Sequence, residues 1–145
     1  MTVTFFGHRD TPTNIEDKLR RIIIDLIENF SADLFYVGNQ GAFDYMARNI
    51  LRELKNDYPH IKYYVVLAYM PIEKKELDFT DYSETIYPDG LEKTLLKYAI
   101  VRRNRWMLEQ ADTVVVYVAY IVGGAAKFKE LAEKKGKRVI NLKDM

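Results

Sequence analysis

Three glycine turns carry the residue types that hold a phosphate group. They are Gly7-His8-Arg9-Asp10, Gly38-Asn39-Gln40-Gly41 and Gly123-Gly124-Ala125-Ala126. Glycine lets a backbone approach a ligand closely. A helix start that follows such a turn adds free N–H groups and a partial positive charge. Together these make an anion site suited to phosphate. Strand-to-helix turns use glycine for their own reasons, so one turn says little. Three in one chain favour a phosphate site. None of them fits G-x-G-x-x-G or the P-loop G-x-x-x-x-G-K-[ST], which disfavours ordinary NAD binding and ATPase chemistry.

Single side chains add to the turns. In the run Arg102-Arg103-Asn104-Arg105, helical geometry lets Arg102 and Arg105 share a face while Arg103 points about 100° away. The expectation is that Arg103 turns inward to a ligand. His8 at the end of the first strand can donate to a phosphate or move a proton, or it can serve only a hydrogen bond within its turn. Asp10 suits a helix cap. Asp44, in the first turn of a helix, suits a cap or a ribose hydroxyl. Two histidines, His8 and His60, without a matching carboxylate pattern give no metal site. Tyr82 and Tyr87 are candidates to stack on a base, with Tyr69 also available, whereas Trp106 has the spacing of a packing residue. Glu130 reads as one of several charges on an amphipathic helix.

The elements that position these residues alternate. A short β-branched and aromatic strand, 2–6, stops at Gly7. Apolar residues at Leu19, Ile22, Ile23, Leu26, Ile27 and Phe30 mark one helix face. A second strand, 34–37, leads through the second turn into a helix over 42–54. A third strand, 62–68, is almost continuously apolar, as a strand buried on both faces is. Residues 70–90 lack periodicity and read as a long loop, a kind that is usually functional. A helix over 91–110, a fourth strand over 113–118, a helix over 125–135 and a fifth strand over 138–142 complete the chain. That order predicts one α/β domain over 1–145, Rossmann-like, with a mostly parallel five-stranded sheet and helices on both faces.

Composition narrows the rest. The 145 residues suffice for one core. There is no cysteine, which excludes disulfides, thiolate metal sites and cysteine nucleophiles. The formal net charge of +1 provides no global field for nucleic acid or an anionic membrane. No apolar run approaches the ~20 residues of a membrane span, and no secretory signal leads the chain. These features fit a cytoplasmic protein.

The ordered set of motifs resembles the SLOG superfamily, which joins the DNA-processing Smf/DprA proteins with the lonely-guy phosphoribohydrolases. The likeness is nearest to small stand-alone YpsA-like members. It is carried by Phe6-Gly7-His8-Arg9, by Val37-Gly38-Asn39-Gln40-Gly41-Ala42-Phe43-Asp44, by Arg103-Asn104-Arg105-Trp106-Met107 with Ala111-Asp112, and by Gly123-Gly124-Ala125-Ala126. The resemblance implies a nucleotide or nucleotide-derived ligand at Gly7, His8, Arg9, Gly38, Asn39, Gln40, Gly41, Asp44, Arg103, Asn104, Gly123, Gly124 and Ala125. It implies a homo-oligomer, a dimer or higher, and no cofactor. In the lonely-guy enzymes an arginine and a glutamate serve cleavage of an N-glycosidic bond, and Arg103 and Glu130 match them. Ala126 and Lys127 stand where that pattern, G-G-x-G-T-x-x-E, has glycine and threonine. The expectation is therefore a binding protein, a sensor or sequestering protein, ahead of a nucleoside-monophosphate phosphoribohydrolase. A nucleic-acid module by analogy with Smf/DprA ranks last, because the charge is near neutral.

Overall fold

The structure is a computed structural model that describes residues 1–69 and 85–145. Among the described residues the chain forms six strands and four α-helices in the order β1 (Thr2–Gly7), α1 (Glu16–Phe30), β2 (Leu34–Val37), α2 (Gly41–Asp57), β3 (Lys62–Val66), β4 (Thr85–Ile86), α3 (Leu96–Gln110), β5 (Thr113–Tyr117), α4 (Gly124–Lys134) and β6 (Arg138–Asn141). The strands form one sheet in the order β4-β3-β2-β1-β5-β6, and every neighbouring pair is parallel. A mostly parallel Rossmann-like sheet is thus what the alternation predicts.

Strand periodicity divides the core between the two faces. Val3 and Phe5 of β1, with Val115 and Tyr117 of β5, face the layer of α1 and α2. There they meet Leu19, Ile23, Phe43, Ile50 and Leu51. Phe6, Val114 and Val116 point the other way, toward Met107 and Leu108 of α3 and Phe128 and Ala132 of α4. All five residues of β5 are buried, as the continuous run Thr113 to Tyr117 requires of a central strand.

Two boundaries differ from the sequence expectation. Among the described residues the sheet has six strands rather than five. The sixth, β4, is two residues that pair Val65 with Thr85 and Val66 with Ile86. Two residues are too few for any periodicity to register. The helix expected from Leu91 begins instead at Leu96. Gly90 at φ +89° opens a single 3-10 turn over Leu91–Lys93, and Thr94 and Leu95 are extended, which separates that turn from α3. Tyr87 packs against the α1/α2 core rather than standing free as a stacking residue. Tyr82, and most of the expected long loop, lie outside the described residues. Among the described residues no helix is long and apolar enough to cross a membrane.

Candidate functional site

The order of the sheet reverses at β1. The chain leaves β1 through α1 on one face and leaves its neighbour β5 through α4 on the other, so a crevice opens at their C-terminal ends. This is where an open parallel sheet binds ligands. A cleft of about 540 Å³ lies there, within the size of small-molecule sites. It is lined from β1 by Gly7, His8, Arg9 and Asp10, from the start of α2 by Gln40 and Asp44, from α3 by Ile100, Arg103 and Asn104, and from the β5–α4 connection by Tyr120 and Val122 through Ala125.

Arg103 forms the buried floor. Only 1% of it is exposed, and no fully buried side chain among the described residues is larger. The α3 helix points it inward, as its offset from Arg102 and Arg105 requires. Its Nε donates to Asn104 Oδ1 at 2.7 Å. Nη1 donates to the Val66 carbonyl at 2.9 Å and to Asn39 Oδ1 at 3.2 Å. These bonds lock the guanidinium. Among the described residues Nη2 has no hydrogen-bond partner.

Asp44 is the countercharge. Its Oδ2 accepts the Gln40 N–H at 3.0 Å, which closes the start of α2. Burial raises its carboxyl above the usual range. Arg103, the Gln40 N–H, Arg48 and Arg9 pull the other way. Burial likewise lowers the Arg103 guanidinium, opposed by Asp44 and then Tyr69. Gly38 leaves room for this pair. A Cβ there would stand 2.6 Å from Asp44 Oδ2 and 3.0 Å from Arg103 Nη1.

The first turn is tied to the third. His8 is buried, and its Nε2 accepts the Ala119 N–H at 3.0 Å. That bond requires a neutral ring with its proton on Nδ1. Burial lowers the imidazole below its ordinary value, and Asp10 opposes this. The Tyr120 ring stacks on His8 with centroids 3.7 Å apart and planes within 4°. The Tyr120 hydroxyl donates to Asp10 Oδ1 at 2.8 Å. On the far side, Arg9 donates to Gln40 Oε1 at 2.9 Å. Asn141 holds the strand exit by bonding the N–H and the carbonyl of Val118.

The third turn differs from the first two. Gly123 has φ +102°, a conformation that favours glycine. A Cβ added to Gly123 or to Gly124 would meet no atom within 4 Å. The next intrahelical donor is Lys127, which bonds the Gly123 carbonyl. The N–H groups of Gly124, Ala125 and Ala126 are thus the unpaired donors of α4, and its first turn contains no acidic residue. By contrast, a Cβ on Gly7 would lie 2.2 Å from Phe43 Cγ, and one on Gly41 would lie 2.7 Å from Arg9 Cα. Those two glycines admit neighbouring chain. Gly41 (φ +89°), Gly38 and Asn39 stand behind the cleft and do not line it.

Glu130 is not brought to Arg103. Its side chain is 70% exposed on α4, where it pairs with Lys134 at 3.2 Å, and it does not line the cleft. Seven residues of helix carry it away from the glycine turn. Tyr69 is held by Gln40 Nε2 at 3.3 Å, and Trp106 packs edge-on against Tyr36. Sequence reasoning misses Tyr120 altogether. Its signal is an aromatic between a buried strand and a glycine turn at the reversal point. No group of three or more His, Asp or Glu that could hold a metal occurs among the described residues.

No family model and no curated protein matches the sequence. Solved structures do match. DNA processing protein A (DprA) from Streptococcus pneumoniae superposes with a TM-score of 0.70 at 20% identity, over 95% of this chain and 48% of that one. DNA processing protein A from Helicobacter pylori gives 0.63 at 16% identity, over 96% of this chain and 63% of that one. The chain therefore spans about half to under two thirds of the length of these proteins. The Helicobacter protein was solved for its single-stranded DNA binding mode. This corrects the expectation drawn from net charge against a nucleic-acid partner. A total of +1 sums over the whole surface and says nothing of where the positive groups gather, and a protein of like fold binds single strands. The fold of this chain is the Rossmann-like fold of these DNA processing proteins.

Proposed function

We propose that the cleft between β1 and β5 binds the phosphate of a nucleotide or nucleotide-derived ligand, and that the protein acts by binding, as a sensor or sequestering protein. One observation carries this reading. A buried, locked Arg103 lines the same cleft as the N–H groups at the start of α4, which have no intrahelical partner. A fixed guanidinium and a helix start both favour an anion, and neither needs reorganisation to receive it. The nearness to YpsA-like members belongs to this reading, since the turn sequences that carry it line or support the cleft. The exposed Leu95, Leu96 and Tyr98 at the start of α3 support a homo-oligomer, which light scattering tests.

The hydrolase reading has less behind it. A glutamate paired with Lys134 on the outside of α4 is poorly placed to assist at a sugar carbon near Arg103. A second reading draws on the Helicobacter protein. In it, the bound nucleotide is one unit of a single DNA strand, whose phosphates would meet the same donors.

Calorimetric titration with mononucleotides, cyclic and ADP-ribose-type signals and a short oligothymidylate separates these readings. Saturable binding that Arg103→Gln removes supports the cleft. A marked preference for the oligomer, weakening with salt, supports the strand. Heatless titrations with the whole panel would sink both. Release of free base that Glu130→Ala abolishes would restore the hydrolase.

A further inference from the structure

Arg103 and the start of α4 account for one end of a nucleotide. The same cleft contains a feature that anion binding does not use. Tyr120 lies three residues before Gly123, lines the cleft and remains 45% exposed. Yet it is held at two points. One ring face lies on His8 at 3.7 Å, and its hydroxyl is bonded to Asp10. His8 in turn is pinned by the Ala119 N–H. No second ring stacks on the open side of Tyr120 among the described residues.

An exposed tyrosine on a loop usually keeps its rotamer freedom. Here an imidazole ring and a carboxylate remove that freedom before any ligand arrives, which lowers the entropy cost of stacking. The stack also extends the surface: a planar group laid on Tyr120 completes a three-layer pile above His8. We infer that Tyr120 is the platform for the base of the bound nucleotide, backed by His8 and braced by Asp10.

This rests on the phosphate reading of the cleft and adds a ligand feature to it. The contact is with a ring face, and every base has one, so the platform favours nucleotides over sugar phosphates without choosing among bases. Asp10 acts as a positioning residue. It fixes the ring through its hydroxyl and does not touch the base.

The test compares two probes, adenosine 5′-monophosphate and ribose 5-phosphate, by calorimetry on the intact protein. Wild type is expected to bind the nucleotide on the order of tenfold or more tightly than the sugar phosphate, the usual contribution of one aromatic stack. Tyr120→Ala is expected to remove that preference and leave ribose 5-phosphate affinity unchanged. Tyr120→Phe keeps the ring and loses the brace, so it retains most of the preference. Ribose 5-phosphate binding guards against misfolding, because a collapsed cleft loses both probes. A preference that survives Tyr120→Ala, or equal affinities in wild type, overturns the platform while the phosphate site stands. Failure of both probes and of inorganic phosphate to bind wild type overturns the site and the platform with it.

Discussion

Replacing Arg103 by Met tests how the cleft floor is built. The substitution keeps length and apolar stem but removes the charge. It deletes the bonds to Asn104, Asn39 and Val66. Its larger effect falls on Asp44, which remains buried without the charge that most opposes its desolvation. Leaving buried polar groups without their partners costs about 1–3 kcal/mol. For a chain of this size that lowers Tm by several degrees. Asp44→Asn, which keeps an acceptor for the Gln40 N–H, should cost less. The double variant should be less destabilised than the sum of the two by about 1 kcal/mol or more, since the groups share one environment around Gly38. Urea unfolding gives the four free energies. The pH dependence has a definite sign. A carboxyl whose folded pKa is raised contributes stability below its unfolded value near 3.8 and loses it as pH rises through the folded value. Arg103→Met raises the folded value further, so its deficit should shrink as pH falls toward the unfolded value near 3.8. Additive free energies with a deficit that does not shrink on acidification would refute the coupling.

Gly7→Ala should destabilise by about 1–3 kcal/mol, because its Cβ would enter the Phe43 ring, while Gly124→Ala, with open space around it, should stay within about 0.5 kcal/mol; chemical denaturation compares them. His8 has a lowered folded pKa, so wild-type stability should fall as pH drops below the unfolded value of 6.5 and level off beneath the folded one; the melting temperature of His8→Asn should show a shallower slope there. Glu130→Ala should leave nucleotide affinity within about twofold by calorimetry, since it removes only an exposed pair with Lys134.

Much of this was legible in the chain. β5 declares itself through five apolar or β-branched residues in succession, and a strand so apolar has to be central. The inward turn of Arg103 follows from about 100° per residue, because Met107 and Ala99 define the buried side of the same helix. What stayed hidden depends on neighbours distant in sequence. β4 exists because β3 offers two pairing positions, and Thr85-Ile86 alone carries no pattern. Gly7, Gly38 and Gly41 look like Gly123 in sequence, yet each faces a specific atom of Phe43, Asp44 or Arg9, while Gly123 and Gly124 face open space. A glycine's identity does not say what approaches it. Glu130 matched a motif by count, but its place on α4 turns it to solvent. The bond from Tyr120 to Asp10 spans 110 residues of chain, and with His8 it arises only because β1 and β5 are adjacent.

The proposed phosphate sits between Arg103 and the first turn of α4. Amide-detected NMR titration with adenosine 5′-monophosphate reports on both sides of that contact. Saturable shifts are expected at Gly124, Ala125 and Ala126 and at the Arg103 side chain, all with one dissociation constant and all lost in Arg103→Gln. Saturable shifts centred elsewhere, with the α4 start and Arg103 unmoved, would contradict that placement.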